Sequence, residues 1–170
     1  YAAIDWTLGD NLENLVLNGS GNQNGTGNAA VNQITGNAFA NILSGLAGND
    51  RLNGGDGDDT LVGGTGRDNL TGGNGADAFR FYEFGASNAD TIVDYSTEVD
   101  VIELDSTVFG QPIGSLSIAA FAIGTTATTA DHRIVYDQVR GDIYFDADGN
   151  GAGARQLIAS VTDNTALNEL

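Results

Sequence analysis

"GGDGDDTLVGGTGRDNLTGGNGADAF", residues 54–79, contains three glycine pairs nine residues apart, each followed by an aspartate and then by one large apolar residue. Extended in both directions, the spacing runs in register from Gly9 to Arg80 as eight rows: GDNLENLVL, NGSGNQNGT, GNAAVNQIT, GNAFANILS, GLAGNDRLN, GGDGDDTLV, GGTGRDNLT and GGNGADAFR. So strict a period marks a solenoid, in which each unit buries its apolar face only by stacking on its neighbours. The eighth column reads Val16, Gly25, Ile34, Leu43, Leu52, Leu61, Leu70, Phe79, and the sixth reads Asn14, Gln23, Asn32, Asn41, Asp50, Asp59, Asp68, Asp77. The sixth column is acidic only in its second half.

A row divides into a glycine-rich turn of six residues and a strand of three, whose middle side chain points inward because successive strand residues face opposite sides. Two rows complete one coil. The inward residues then form two ladders, Val16, Ile34, Leu52, Leu70 and Gly25, Leu43, Leu61, Phe79, while columns seven and nine face solvent.

These rows resemble the repeats-in-toxin (RTX) nonapeptide GGxGxDxUx. The match is close in rows 54–62, 63–71 and 72–80, good in row 45–53, where Leu46 replaces the second glycine, and partial upstream. The resemblance implies an all-β fold: a right-handed parallel β-roll solenoid with calcium (Ca2+) held between turns on each side. Such rolls occur in the C-terminal parts of exported bacterial proteases, lipases, epimerases, adhesins and toxins.

The chemistry agrees with that expectation. Calcium takes ~6–8 oxygens, and a glycine turn presents carbonyls that no side chain obstructs, while one carboxylate per turn adds charge. Because rows alternate sides, the expected partners are Asp50 with Asp68 and Asp59 with Asp77, making two full sites. Carbonyls such as those of Gly48, Gly55, Gly57, Gly64, Gly66, Gly73 and Gly75 complete them. Aspartates can also cap turns through hydrogen bonds alone, but a stack of unneutralised carboxylates repels itself. For Asn14, Asn32 and Asn41 turn-capping and amide ladders are the expected role, since a neutral amide offers one oxygen and no charge.

Composition narrows the partners. The chain has 170 residues, 41% hydrophobic, with 23 acidic and 6 basic residues and a net charge of -17. Such a surface attracts cations and repels nucleic acid and anionic membranes. The absence of cysteine excludes disulfides, thiolate zinc sites and cysteine nucleophiles. No run reaches the ~18 apolar residues of a membrane span. With no starting methionine or signal peptide, the chain reads as a piece cut inside a repeating pattern, with an upstream part expected.

After Arg80 the metre stops, dividing the chain into a roll, 1–80, and a β-rich C-terminal flank or cap, 81–170. Strands are expected near 79–84, 90–95 and 100–104, a loop over 124–131, and a hairpin with a further strand in "RIVYDQVRGDIYFDADGNGAGARQLIASV". The stretches "DTIVDY" and "DVIELD" resemble the aspartate-rich segment that closes RTX rolls, so Asp90, Asp94, Asp100 and Asp105 are candidates for a further ion or ordinary exposed charges. "DADGNG" matches the first half of an EF-hand loop at Asp146, Asp148 and Asn150. Its twelfth position is Leu157 rather than a bidentate glutamate, and as a turn it needs no metal. His132 reads as a solvated loop residue.

Nothing resembles a nucleophile elbow, an HExxH zinc motif or a phosphate loop, so no enzyme is expected in these residues. By resemblance, the chain is a calcium-binding module of a secreted, extracellular or cell-surface bacterial protein. It would stay unfolded where calcium is scarce, fold outside, and engage type I secretion machinery through its last stretch, "LIASVTDNTALNEL". A second class is an adhesive or polysaccharide-binding module, disfavoured by irregular outward pairs such as Gln33 and Thr35, Arg51 and Asn53, Asn69 and Thr71. The same irregularity argues against an ice-binding face.

Overall fold

The computed structural model describes residues 4–110 and 120–162. It is nearly all β. The repeats supply β1 (Trp6–Thr7), β2 (Asn14–Val16), β3 (Gly25–Thr26), β4 (Gln33–Thr35), β5 (Ile42–Ala47), β6 (Arg51–Asp56), β7 (Thr60–Thr65), β8 (Asn69–Asn74) and β9 (Ala78–Phe81). The flank adds β10 (Asp90–Ile92), β11 (Val101–Leu104), helix α1 (Ser106–Phe109), β12 (Phe121–Ile123), β13 (Ile134–Asp137), β14 (Asp142–Phe145) and β15 (Gln156–Val161).

Repeat strands alternate between two parallel sheets. One sheet has the order β1-β3-β5-β7-β9-β11 and the other β12-β13-β14-β15-β10-β8-β6-β4-β2. Leu43 pairs with Leu61 and Leu61 with Phe79; on the other side Ile34 pairs with Leu52 and Leu52 with Leu70. These six side chains are fully buried. At Gly25 the ladder lacks a side chain, and a Cβ there would come 3.1–3.3 Å from methyl groups of Leu15, Ile34 and Leu43. The neighbouring ladders therefore fill the gap.

The first row departs from the count of nine. Leu15, not Val16, pairs with Ile34, and Trp6 pairs with Gly25, each a separation of nineteen residues. The extra residue lies between Leu15 and Gly25. Alternation explains the slip: a strict count would turn Val16 inward and expose both Leu15 and Leu17, whereas the observed register buries Leu17 and leaves Val16 66% exposed.

The strands are also longer than three residues in the central rows. β6, β7 and β8 each run six residues, through the glycine pair. Leu52 and Gly54 therefore both face inward, as do Leu61 and Gly63, and Leu70 and Gly72.

Stacking continues past Arg80, where β10 pairs with β8 and β11 with β9. β15 then joins β10 in parallel; β13 and β14 form the expected hairpin, and the further strand β15 pairs antiparallel with β14. Phe84, Phe109 and Phe145 meet with ring centroids 5.1–5.6 Å apart, tying this region to the end of the roll. Asp105 caps α1 at its N-terminus and Gly110, at φ 63, ends it. Residues 124–131 connect β12 to β13, as expected for a loop.

Candidate metal centre

The turns entering the two sheets form two stacks. Asn32, Asp50, Asp68 and Asp90 lie in one; Asn41, Asp59, Asp77 and Asp100 lie in the other. Each later side chain accepts, through Oδ1, the backbone N–H of the residue one coil earlier. The donor-to-acceptor pairs are Asn32 to Asp50 (2.7 Å), Asp50 to Asp68 (2.6 Å) and Asp68 to Asp90 (2.9 Å). The second stack repeats this as Asn41 to Asp59 (2.7 Å), Asp59 to Asp77 (2.9 Å) and Asp77 to Asp100 (2.9 Å). The sequence pairing of Asp50 with Asp68 and Asp59 with Asp77 is thus brought together in space.

One oxygen of each carboxylate is used this way, and the other is not. Oδ2 of Asp50, Asp59, Asp68, Asp77 and Asp90 is buried without a hydrogen-bond partner. A buried unpaired carboxylate oxygen is costly unless a cation or proton compensates it. In the repeat rows it points at the first-column glycine of its own row. A Cβ on Gly45 would collide with Asp50 Oδ2 and lie 2.5 Å from the Gly63 carbonyl oxygen; a Cβ on Gly54 would collide with Asp59 Oδ2 and lie 2.6 Å from the Gly72 oxygen. These cradles are lined by one carboxylate oxygen and one carbonyl oxygen from successive coils, a donor set suited to a hard divalent cation.

Burial shapes the electrostatics. Desolvation pushes the Asp50 carboxyl up to about 6 and the Asp59 carboxyl to about 7, opposed by the Asn32 and Asn41 N–H bonds and reinforced by the charges of Asp68 and Asp77. Asp68 and Asp77 are also raised, chiefly by burial. Burial raises Asp90 to about 8, with Asp68 and Glu83 adding repulsion. Among the described residues, no three histidine, aspartate or glutamate side chains form a cluster able to hold a metal by themselves. Backbone carbonyls are therefore indispensable to any cation site in these turns.

In the asparagine rows a neutral amide replaces the carboxylate. Asn32 accepts the Asn28 N–H (2.7 Å) through Oδ1, and its Nδ2 donates to the Leu12 carbonyl (3.3 Å) and Asn28 Oδ1 (3.1 Å). Asn41 accepts the Asn37 N–H and donates to the Gln23 carbonyl and Asn37 Oδ1. Asn28 Nδ2 adds bonds to Gly9 and Leu12, and Asn37 Nδ2 to Gly19 and Gly21. Amide N–H groups thus face backbone carbonyls here, supplying positive polarity without an ion. Asn14, displaced by the register slip, lies instead in β2 opposite Gln33.

The other candidates are placed as follows. Gly48, Gly55, Gly57, Gly64, Gly66, Gly73 and Gly75 have φ between 95 and 145, stacked coil on coil at the turns. The first-column glycines Gly45, Gly54, Gly63 and Gly72, which abut the unpaired oxygens, escaped the sequence reading. Their signal is the column itself, glycine in seven of the eight rows and Asn18 in the other, masked by assigning the whole glycine pair to the turn. Asp94 accepts the Gly72 N–H on Oδ1 and the Gly73 N–H on Oδ2, both at 2.9 Å. Asp100 accepts the Ser96 N–H on Oδ2 (2.8 Å), and Asp105 is the helix cap. Near β14, Asp146 Oδ1 is buried and unpaired, while Asp148 accepts the Gly153 N–H (2.8 Å) and the exposed Asn150 donates its backbone N–H to the Thr129 carbonyl. Burial raises the Asp146 carboxyl; the Gly153 bond lowers that of Asp148. His132 Nδ1 accepts the Thr128 N–H within the loop.

A parallel roll with buried, half-satisfied aspartates against glycine carbonyls defines a calcium-binding repeat module. The family model for the RTX calcium-binding nonapeptide repeat (4 copies) matches residues 26–61 and 53–81, and these rows are RTX repeats, for which calcium is the expected ion. Among solved structures, the chain is similar to the solution structure of the AlgE6R3 subunit of the Azotobacter vinelandii mannuronan C5-epimerase. The identity is 25% and the TM-score 0.55, over 81% of this chain and 75% of that one. No curated protein matches the chain. RTX repeat proteins are typically secreted, and among the described residues no helix is long and apolar enough to cross a membrane.

Proposed function

We propose that the chain is a non-catalytic module that folds on calcium outside the cell and stabilises a larger secreted protein. The observation that carries this reading is the row of buried Oδ2 atoms of Asp50, Asp59, Asp68 and Asp77 left without partners. Calcium would be held by these carboxylates together with carbonyls of the first-column glycines Gly63 and Gly72 and of neighbouring turn glycines, neutralising charge that burial otherwise penalises. An ion that binds only the folded chain adds its binding free energy to folding. Where calcium is scarce, the repelling carboxylates keep the rows open, a state suited to passage through a type I exporter.

Circular dichroism during calcium titration of the whole chain, with magnesium as control, tests the reading. Calcium induces β-structure and magnesium does not, because magnesium demands near-octahedral geometry and retains its water. Complete folding in a chelator overturns it. The export role is tested by deleting residues 156–170 in a host carrying the matching exporter; residues 163–170 lie outside the described part. Undiminished export of the truncated chain removes that role.

A further inference from the structure

Rows 27–35 and 36–44 carry asparagine at column two as well as column six, a pairing found in no other row of the metre. The two columns act together. Asn32 and Asn41 accept the N–H groups of Asn28 and Asn37 and donate to their Oδ1 atoms, which leaves each column-two Nδ2 aimed at the preceding coil. There Asn37 Nδ2 donates to the carbonyls of Gly19 (3.2 Å) and Gly21 (3.0 Å) and also reaches Gln23 Oε1 (3.4 Å). Gly19 and Gly21 are columns two and four of their row. Asn28 Nδ2 donates likewise to Leu12 (2.7 Å) and to Gly9 (2.9 Å), which stands nineteen residues before it, the register of that first coil.

The glycine rows meet the same carbonyl positions without a side chain. A Cβ on Gly64 would collide with the Leu46 oxygen and one on Gly66 with the Gly48 oxygen; Gly73 and Gly75 stand in the same way against Gly55 and Gly57. Leu46, Gly48, Gly55 and Gly57 again hold columns two and four of the preceding coil. Glycine at column two brings no side-chain donor to them, and column six of the same rows, Asp68 and Asp77, keeps a buried Oδ2 without a partner. The backbone differs accordingly: Gly55, Gly64 and Gly73 have φ between 95 and 110, whereas Asn28 and Asn37 stay outside the left-handed region.

We infer that column two decides which turns of this roll take an ion: the Asn28 and Asn37 amides satisfy the carbonyls between coils that calcium would satisfy in the aspartate rows, so these turns close without metal and exclude it. Both N–H groups of each amide are spent on oxygens of the preceding coil. A cation entering the same turns would have to displace them, with no carboxylate at column six to balance its charge. The roll then has a metal-free half beside a metal-dependent half, joined where the Asn32 and Asn41 N–H groups donate to Asp50 and Asp59. This inference rests on the calcium reading of the aspartate rows but is separable from it, because it gives rows 27–44 the opposite role.

The test is ion counting on the whole chain by native mass spectrometry at saturating calcium, for the parent, Asn32→Asp and the double variant Asn28→Gly/Asn32→Asp. The two variants carry the same charge and differ only at column two. The double variant is expected to hold one ion more than the parent, while Asn32→Asp keeps the parent's count. An unchanged count in the double variant, or an extra ion in Asn32→Asp alone, overturns the selecting role of column two while the aspartate sites stand. A parent that binds no calcium overturns both readings. Should the double variant fail to reach the parent's circular dichroism spectrum at saturating calcium, Asn41→Asp and Asn37→Gly/Asn41→Asp make the same comparison in the other stack. One extra ion in that double variant alone supports the inference; any other count, or a second failure to fold, overturns it.

Discussion

The backbone N–H of Asp50 donates to Oδ1 of Asp68 across one coil at 2.6 Å, while Oδ2 of Asp68 stays buried and unpaired. One carboxylate therefore both registers the stack and presents a free oxygen to a cation. Removing the side chain and removing its charge should have different effects.

Asp59→Ala leaves the buried Asn41 N–H without its acceptor, at a cost of ~1–3 kcal/mol, and also deletes a cation ligand. Its calcium midpoint rises and its stoichiometry falls. Asp59→Asn keeps an oxygen for Asn41 and brings an N–H donor, as Asn32 and Asn41 do; it should bind one ion fewer yet fold at lower calcium than Asp59→Ala. Asn32→Ala should cost ~1 kcal/mol with the ion count unchanged. Denaturation at fixed calcium, with ion counting, checks the order; equal midpoints for all three variants and the parent remove column six from the ligand set.

Gly54→Ala puts a methyl group against Asp59 Oδ2 and the Gly72 carbonyl. The backbone cannot move aside without breaking the β4–β6–β8 ladder in which Gly54 lies, so the variant should lose calcium-induced β-structure at concentrations that fold the parent. Dichroism at those concentrations reads the outcome.

Leu46→Gly should stabilise the calcium-loaded protein. Leu46 sits at φ 76, half exposed, in the column where Gly55, Gly64 and Gly73 also take positive φ. An L-residue pays ~1–2 kcal/mol in the left-handed region, and glycine's extra chain entropy returns ~0.5–1, so a net gain of roughly 0.5–1 kcal/mol is expected. Thermal unfolding at saturating calcium measures it.

In a chelator, acid should favour the folded roll. Asp50, Asp59 and Asp90 have carboxyls raised from 3.8 to about 6, 7 and 8 by burial. The folded state therefore binds more protons than the unfolded one between these limits. The stability tied to them is fully present below pH 3.8 and is lost as pH rises through about 6, 7 and 8. With calcium the sense reverses, because ligands must be deprotonated: the calcium midpoint should climb on acidification. Dichroism from about pH 8 down to about pH 5, with and without calcium, checks both signs.

The period of nine by itself determined the solenoid, the alternation of rows between two sheets, and the inward ladder from Ile34 to Phe79, because stacked coils must place like residues in like positions. It also identified Asp50, Asp59, Asp68 and Asp77, since only those rows carry a charge at column six. Three things waited on tertiary structure. The slip at Leu15 depended on which of three consecutive apolar residues gained most by burial, a choice periodicity cannot rank. The role of Gly45, Gly54, Gly63 and Gly72 appeared only when strands were seen to run through the glycine pair, turning its first member inward against a carboxylate. Glu83 lies in no repeat row; the burial of its Oε1 without a hydrogen-bond partner is decided by the packing around it, and local spacing holds no record of that.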